Sequence, residues 1–161
     1  MKSKNIQELK RLMTNDFYGL FSKEEFDIWL NEVKNQSSQK MCDLGNLNIY
    51  KNRSILYSLL FVELNETFDE QANENSKNLK NVIKKYCTNY IQEIYSESDL
   101  IEAISMFYAN CDLKIFDKMN KAASMGFYSL LEYAEMDKTQ LTTWKSQMLR
   151  ECKTLIINLD E

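Results

Sequence analysis

Neither histidine nor proline occurs anywhere in this 161-residue chain. Without histidine the usual general base near neutral pH and the commonest imidazole ligand are both missing. Familiar nucleophile–base pairs, Cys/His zinc sets, histidine-ligated haem and Glu-x-x-His di-iron bundles therefore have no means of assembly. Long apolar runs are missing too. Nothing approaches the ~18 consecutive apolar residues of a membrane span, and the start, Met1-Lys2-Ser3-Lys4-Asn5-Ile6-Gln7, holds no apolar block of the signal-peptide kind. These features predict a cytoplasmic protein with no membrane partner. An excess of positive charge is lacking as well: the net charge of −4 supplies no basic face for neutralising phosphates and argues against nucleic acid as a partner. Cysteines stand at 42, 87, 111 and 152, with no CxxC pair, and read as reduced, mostly buried thiols. The only arginines are Arg11, Arg53 and Arg150 among many lysines and asparagines, a bias toward A- and T-rich codons that points to an AT-rich genome.

What the chain has in abundance is helical periodicity. From Ile6 to Leu159 apolar residues return at three- and four-residue intervals, which predicts an all-α fold. Ile6, Leu9, Leu12 and Met13 form a first stripe that Asn15-Asp16 and Gly19 bring to an end. Ser22-Lys23-Glu24-Glu25 reads as a capping box ahead of Phe26, Trp29, Leu30 and Val33. Residues 35 to 39 are polar and small, as in a loop. Ile55 to Val62 is apolar on all sides and reads as a central helix wrapped by neighbours. Gln71 to Ser76 is a second loop, after which Leu79, Val82, Ile83, Tyr86, Cys87, Tyr90 and Ile94 share one arc. Ser96-Glu97-Ser98-Asp99 separates that helix from the one carrying Leu100, Ile104, Phe107, Tyr108 and Cys111. Phe116, Met119, Ala123, Phe127, Leu130 and Ala134 make the narrowest stripe in the chain. Asp137-Lys138-Thr139-Gln140 offers another cap before Leu141, Trp144, Met148, Cys152, Leu155 and Leu159. The expectation is a compact antiparallel bundle of six or seven helices forming a single helical domain over residues 1–161, with no solenoid repeat.

Glu63, Glu66 and Glu70 lie within ~60° of one another on a helix, and carboxylates on successive turns suit Mg²⁺. Glu63-x-x-Glu66 resembles the first half of the acidic motif in the all-helical nucleoside triphosphate pyrophosphohydrolases. The likeness covers these few residues, and it implies a second acidic pair on a later helix, a pattern that Glu93, Glu97, Asp99 and Glu102 fit poorly. In the simpler reading the acids solvate one helix side, as Lys77, Lys80 and Lys84 solvate another while attracting the acidic stretch before the loop.

The small residues Ala122 and Gly126 flank the narrow stripe, with Tyr133 on nearly the same side. A glycine inside a helix costs about 1 kcal/mol relative to alanine, so it calls for a reason. One reason is close approach of a neighbouring helix. The other is a surface that admits a partner or an apolar ligand, lined by Met119, Met125, Phe127 and Tyr128. With catalytic groups scarce and aromatic residues plentiful, the functional expectation is a non-enzymatic interaction module of inhibitor, immunity, effector or adaptor type. It would bind a partner protein, or a second copy, through Met119, Ala122, Gly126 and Tyr133, and would need no cofactor. The alternatives are a Mg²⁺-dependent phosphoanhydride hydrolase using Glu63, Glu66 and Glu70, and a sensor of apolar ligands near Ala122 and Gly126.

Overall fold

The computed structural model of the protein describes residues 2–34, 53–63 and 75–161. Among them run seven α-helices: α1 (Lys2–Phe17), α2 (Lys23–Lys34), α3 (Arg53–Glu63), α4 (Ser76–Ile91), α5 (Glu97–Asn110), α6 (Lys121–Glu132) and α7 (Lys145–Leu159). Short 3-10 segments occupy Leu113–Lys118, Tyr133–Glu135 and Lys138–Trp144, and the described residues contain no strand. The fold is all-α, as the periodicity predicts. Contacts divide the chain into two compact units, Met1–Asn75 and Ser76–Glu161. No described helix is long and apolar enough to cross a membrane.

In the first unit, α1 stops where Gly19 takes a positive φ of 77°, a conformation that costs glycine nothing. The Leu20 amide then returns to the Asn15 carbonyl at 2.7 Å. Half of the predicted capping box is present, since the Glu25 amide donates to Ser22 Oγ at 3.3 Å. Leu9, Leu12 and Met13 of α1, Phe26, Trp29, Leu30 and Val33 of α2, and Leu56, Tyr57, Leu60 and Phe61 of α3 form one core. The Trp29 indole N–H is satisfied by the Asn5 carbonyl at 3.0 Å. Asp16 Oδ2 accepts from Arg53 Nε at 2.6 Å and from the Tyr57 hydroxyl at 2.8 Å, tying α3 to the end of α1, while the Arg53 guanidinium lies 4.4 Å from the centre of the Phe21 ring. The expectation that the Ile55 to Val62 run is wrapped on all sides is corrected here. Leu59 and Val62 are exposed, because α3 makes its core contacts through the stripe of Leu56, Tyr57, Leu60 and Phe61.

In the second unit the most extensive helix pairings are those of α7, which lies against both α4 and α6. Both pairings are antiparallel. Midway along α4, Lys84 pairs with Asp160 beyond the end of α7, and late in α4 the Tyr90 hydroxyl donates to the carbonyl of Lys145 at its start. At the start of α6, Asn120 Nδ2 donates to the Asn158 carbonyl at 2.7 Å. Local chemistry sets the helix ends. Glu93 adopts a left-handed φ of 61°, letting the Ile94 and Tyr95 amides return to the Asn89 carbonyl. That reversal ends α4 at Ile91 and leaves Ile94 exposed, outside the arc expected of it. Ser96 and Asp99 form a complete capping box on α5, satisfying two amides that have no partner within the helix.

The narrow stripe from Phe116 to Ala134 is not one helix. A 3-10 segment carries Phe116, Met119 closes it in extended conformation, and Asn120 starts α6 afresh by accepting from the Ala123 amide at 2.8 Å. Phe116, Met119, Ala123, Phe127 and Leu130 are nevertheless all buried, because the break lies between residues that each still reach the same core. Ala134, past the end of α6, is exposed. Similarly, Asp137 caps a 3-10 segment, accepting from the Thr139 amide at 3.0 Å. Trp144, expected in the stripe of α7, is 44% exposed.

Candidate functional site

The residues selected from the sequence fall on and around α6. Its inner side is committed to the core through Ala123, Phe127 and Leu130. Phe127 is the hub of an aromatic cluster, with ring centres 5.7 Å from Phe107 and 4.9 Å from Phe116. The outer side departs from the usual polar surface. Met125 is 60% exposed and Tyr128 40%, and with exposed Ala122 they span ~120° of arc at 100° per residue. Tyr128 is held from below, its ring 5.1 Å from Phe116 and 6.0 Å from Tyr108. Partial burial raises the titration of its hydroxyl above the ordinary value, with Tyr108 adding to the effect, so the ring presents a neutral phenol.

The four residues of the expected binding surface have different settings. Ala122 and Gly126 do lie together, on one wall of a shallow groove of about 140 Å³ whose other wall is α7, with Arg150, Thr154 and Asn158. Gly126 marks a close approach, since a Cβ at this position would stand 3.3 Å from Leu155 Cδ1. Met119 and Tyr133 are buried. The Tyr133 ring packs 6.2 Å from that of Trp144. Its hydroxyl is pushed up to about 12, first by burial and then by the neighbouring Glu151 carboxylate.

A feature that sequence reading missed lies on the opposite flank of Tyr133. Between α5 and the paired 3-10 segments is a cleft of about 240 Å³. One wall is a single helical stripe, Ser98, Ile101, Glu102 and Ser105, at spacings i, i+3, i+4 and i+7. Tyr133, Met136, Lys138 and Leu141 supply the other. The only signal in the sequence was that polar stripe beside the apolar one. Its partner wall depends on two 3-10 turns that no periodicity announces.

Of the acidic stripe, Glu66 and Glu70 lie outside the described residues, and Glu63 is the last residue of α3. Among the described residues no group of three or more acidic, cysteine or histidine side chains is placed to hold a metal ion. Lys84, expected to attract the acids before the loop, pairs with Asp160. Cys87 and Cys152 are buried against each other, and the hydrogen bond between them, reinforced by burial, pushes the Cys87 thiol well up. Neither is poised as a nucleophile. Compared with known proteins, the chain matches no family model, no curated protein and no solved structure.

Proposed function

We propose that this protein is a non-enzymatic interaction module that binds a partner protein through the outer face of α6. The observation that carries this reading is the exposed apolar pair Met125 and Tyr128, with the Tyr128 ring fixed on the Tyr108–Phe116–Phe127 cluster. A rigidly backed tyrosine beside a flexible methionine provides contact area at little ordering cost, and such residues dominate the centres of protein interfaces. Ala122 adds a flat spot where a partner can come close. Gly126 sits where this face meets α7, while Met119 and Tyr133 are buried and take no part in it. Removing the exposed parts of Met125 and Tyr128 from water contributes on the order of 2 kcal/mol, enough to anchor a contact but not to complete one.

The test replaces Met125 with a photo-crosslinking residue in cells that express the protein. A discrete adduct is expected, and Ala122→Glu should remove it while the helical spectrum and melting temperature stay unchanged. If crosslinking yields no discrete adduct, or the adduct survives Ala122→Glu, the outer face of α6 is not the binding surface. An adduct at twice the mass of the chain would identify a second copy as the partner.

A further inference from the structure

The cleft between α5 and the 3-10 segments has the makeup of a small-molecule site. Its floor is apolar and firm, with Ile101, Tyr133 and Leu141 buried in the second unit. Its rim carries one charge of each sign, Glu102 from α5 and Lys138 from the facing segment. Both are exposed, and neither is engaged in a salt bridge among the described residues. Two serine hydroxyls, from Ser98 and Ser105, stand one turn to either side of this level on α5. An apolar floor beneath a few converging polar groups is the usual composition of a ligand pocket. At about 240 Å³ the cleft falls below the ~300–1,000 Å³ that holds drug-sized molecules, which restricts the occupant to the size of a simple metabolite.

The charge arrangement narrows the class further. A purely anionic ligand would meet Lys138 but also Glu102, and a cation would meet the reverse conflict. A neutral apolar ligand would fill the floor and leave the rim unused. A small zwitterion with an apolar side group satisfies all three features at once: its ammonium faces Glu102, its carboxylate faces Lys138 and the serine hydroxyls, and its side group rests on Ile101, Tyr133 and Leu141. We propose that this cleft binds a free α-amino acid with an aliphatic or aromatic side chain. The site is separate from the outer face of α6, and its existence does not depend on that face binding a protein.

L-leucine and L-phenylalanine serve as probes in a methyl-detected NMR titration of the intact chain. Saturable shifts of the Ile101 and Leu141 methyl groups are expected. Leucinamide, which lacks the carboxylate, and 4-methylpentanoate, which lacks the ammonium, should each bind about fivefold more weakly, the effect of losing one partly exposed ion pair. Lys138→Met should weaken leucine by a similar factor and leave leucinamide unaffected. Glu102→Gln should weaken leucine and leave 4-methylpentanoate unaffected. Both positions are exposed, so the helical spectrum serves as a control for folding. If neither amino acid shifts these methyl groups up to roughly 10 mM, a ceiling near 3 kcal/mol of binding, the proposal fails. It fails equally if the two charge variants weaken all four probes alike.

Discussion

Tyr133 shows how far one buried side chain can link chemistry to stability. Its ring packs on Trp144 and its hydroxyl on Glu151, so the neutral phenol is held in an apolar, negatively charged setting that disfavours the phenolate. Folding raises its titration from an ordinary 10.0 to about 12. The folded state thus favours the protonated form, and the resulting stability is fully present below pH 10 and lost as the pH rises through 12. Denaturation midpoints measured from neutral pH upward should fall across that window. Tyr133→Phe should flatten the fall without abolishing it, since burial also raises Tyr57, Tyr86 and Tyr90. Identical pH profiles for the two proteins would show that the Tyr133 hydroxyl does not couple to folding. Asp16 is the comparable residue in the first unit, where one carboxylate oxygen serves both Arg53 and Tyr57.

At the scale of the element, the contact between α6 and α7 depends on the absence of a side chain. A Cβ at position 126 would stand 3.3 Å from Leu155 Cδ1, so any larger group must displace a buried leucine or part the two helices. Gly126→Leu should cost roughly 1–3 kcal/mol, the usual penalty of overpacking. Leu155→Ala, which opens a cavity on its own, should cost less in the Gly126→Leu background than in the wild type, because the two changes compensate in volume. Additive costs in denaturant unfolding would mean that the two residues do not share this space. The same pair shows what the sequence could and could not convey. A glycine within a well-patterned helix announced that something comes close, and the heptad-like spacing of Met148, Cys152, Leu155 and Leu159 announced a helix able to do so. That the two meet each other is a tertiary fact with no local signature. Helices and their buried stripes were legible because burial imposes a 3.6-residue period wherever a helix touches a core. The cleft was not, because 3-10 segments are short and leave no such period. Nor was the end of α4, where Glu93 takes a left-handed conformation more usual for glycine. The stripe from Phe116 was read correctly as buried as far as Leu130, wrongly as buried at Ala134 and wrongly as continuous, since periodicity reports which residues meet the core and is nearly blind to a cap such as Asn120 that restarts the helix.

At the scale of the whole molecule, the division at residue 75 assigns each candidate feature to one unit. The outer face of α6, its aromatic support and the cleft beside α5 all belong to Ser76–Glu161, so whatever they bind can be studied there if that unit is self-sufficient. Its core argues that it is. Val82, Ile83, Tyr86, Leu100, Ile104, Phe107, Phe127, Leu130, Met148 and Leu155 are fully buried, and they come from all four of its helices, so no helix lacks a partner within the unit. Its length is above the ~60 residues at which a single core becomes marginal. Expressed alone, residues 76–161 should melt cooperatively and keep a strongly helical spectrum. The cysteines provide a second, independent readout of correct packing: in the fragment, as in the full chain, a thiol reagent should modify partly exposed Cys111 well before Cys87 and Cys152, which are buried. Rapid labelling of Cys87, or a broad non-cooperative melt, would show that this core needs residues 1–75 to close, and would place the boundary between folding units somewhere other than before α4.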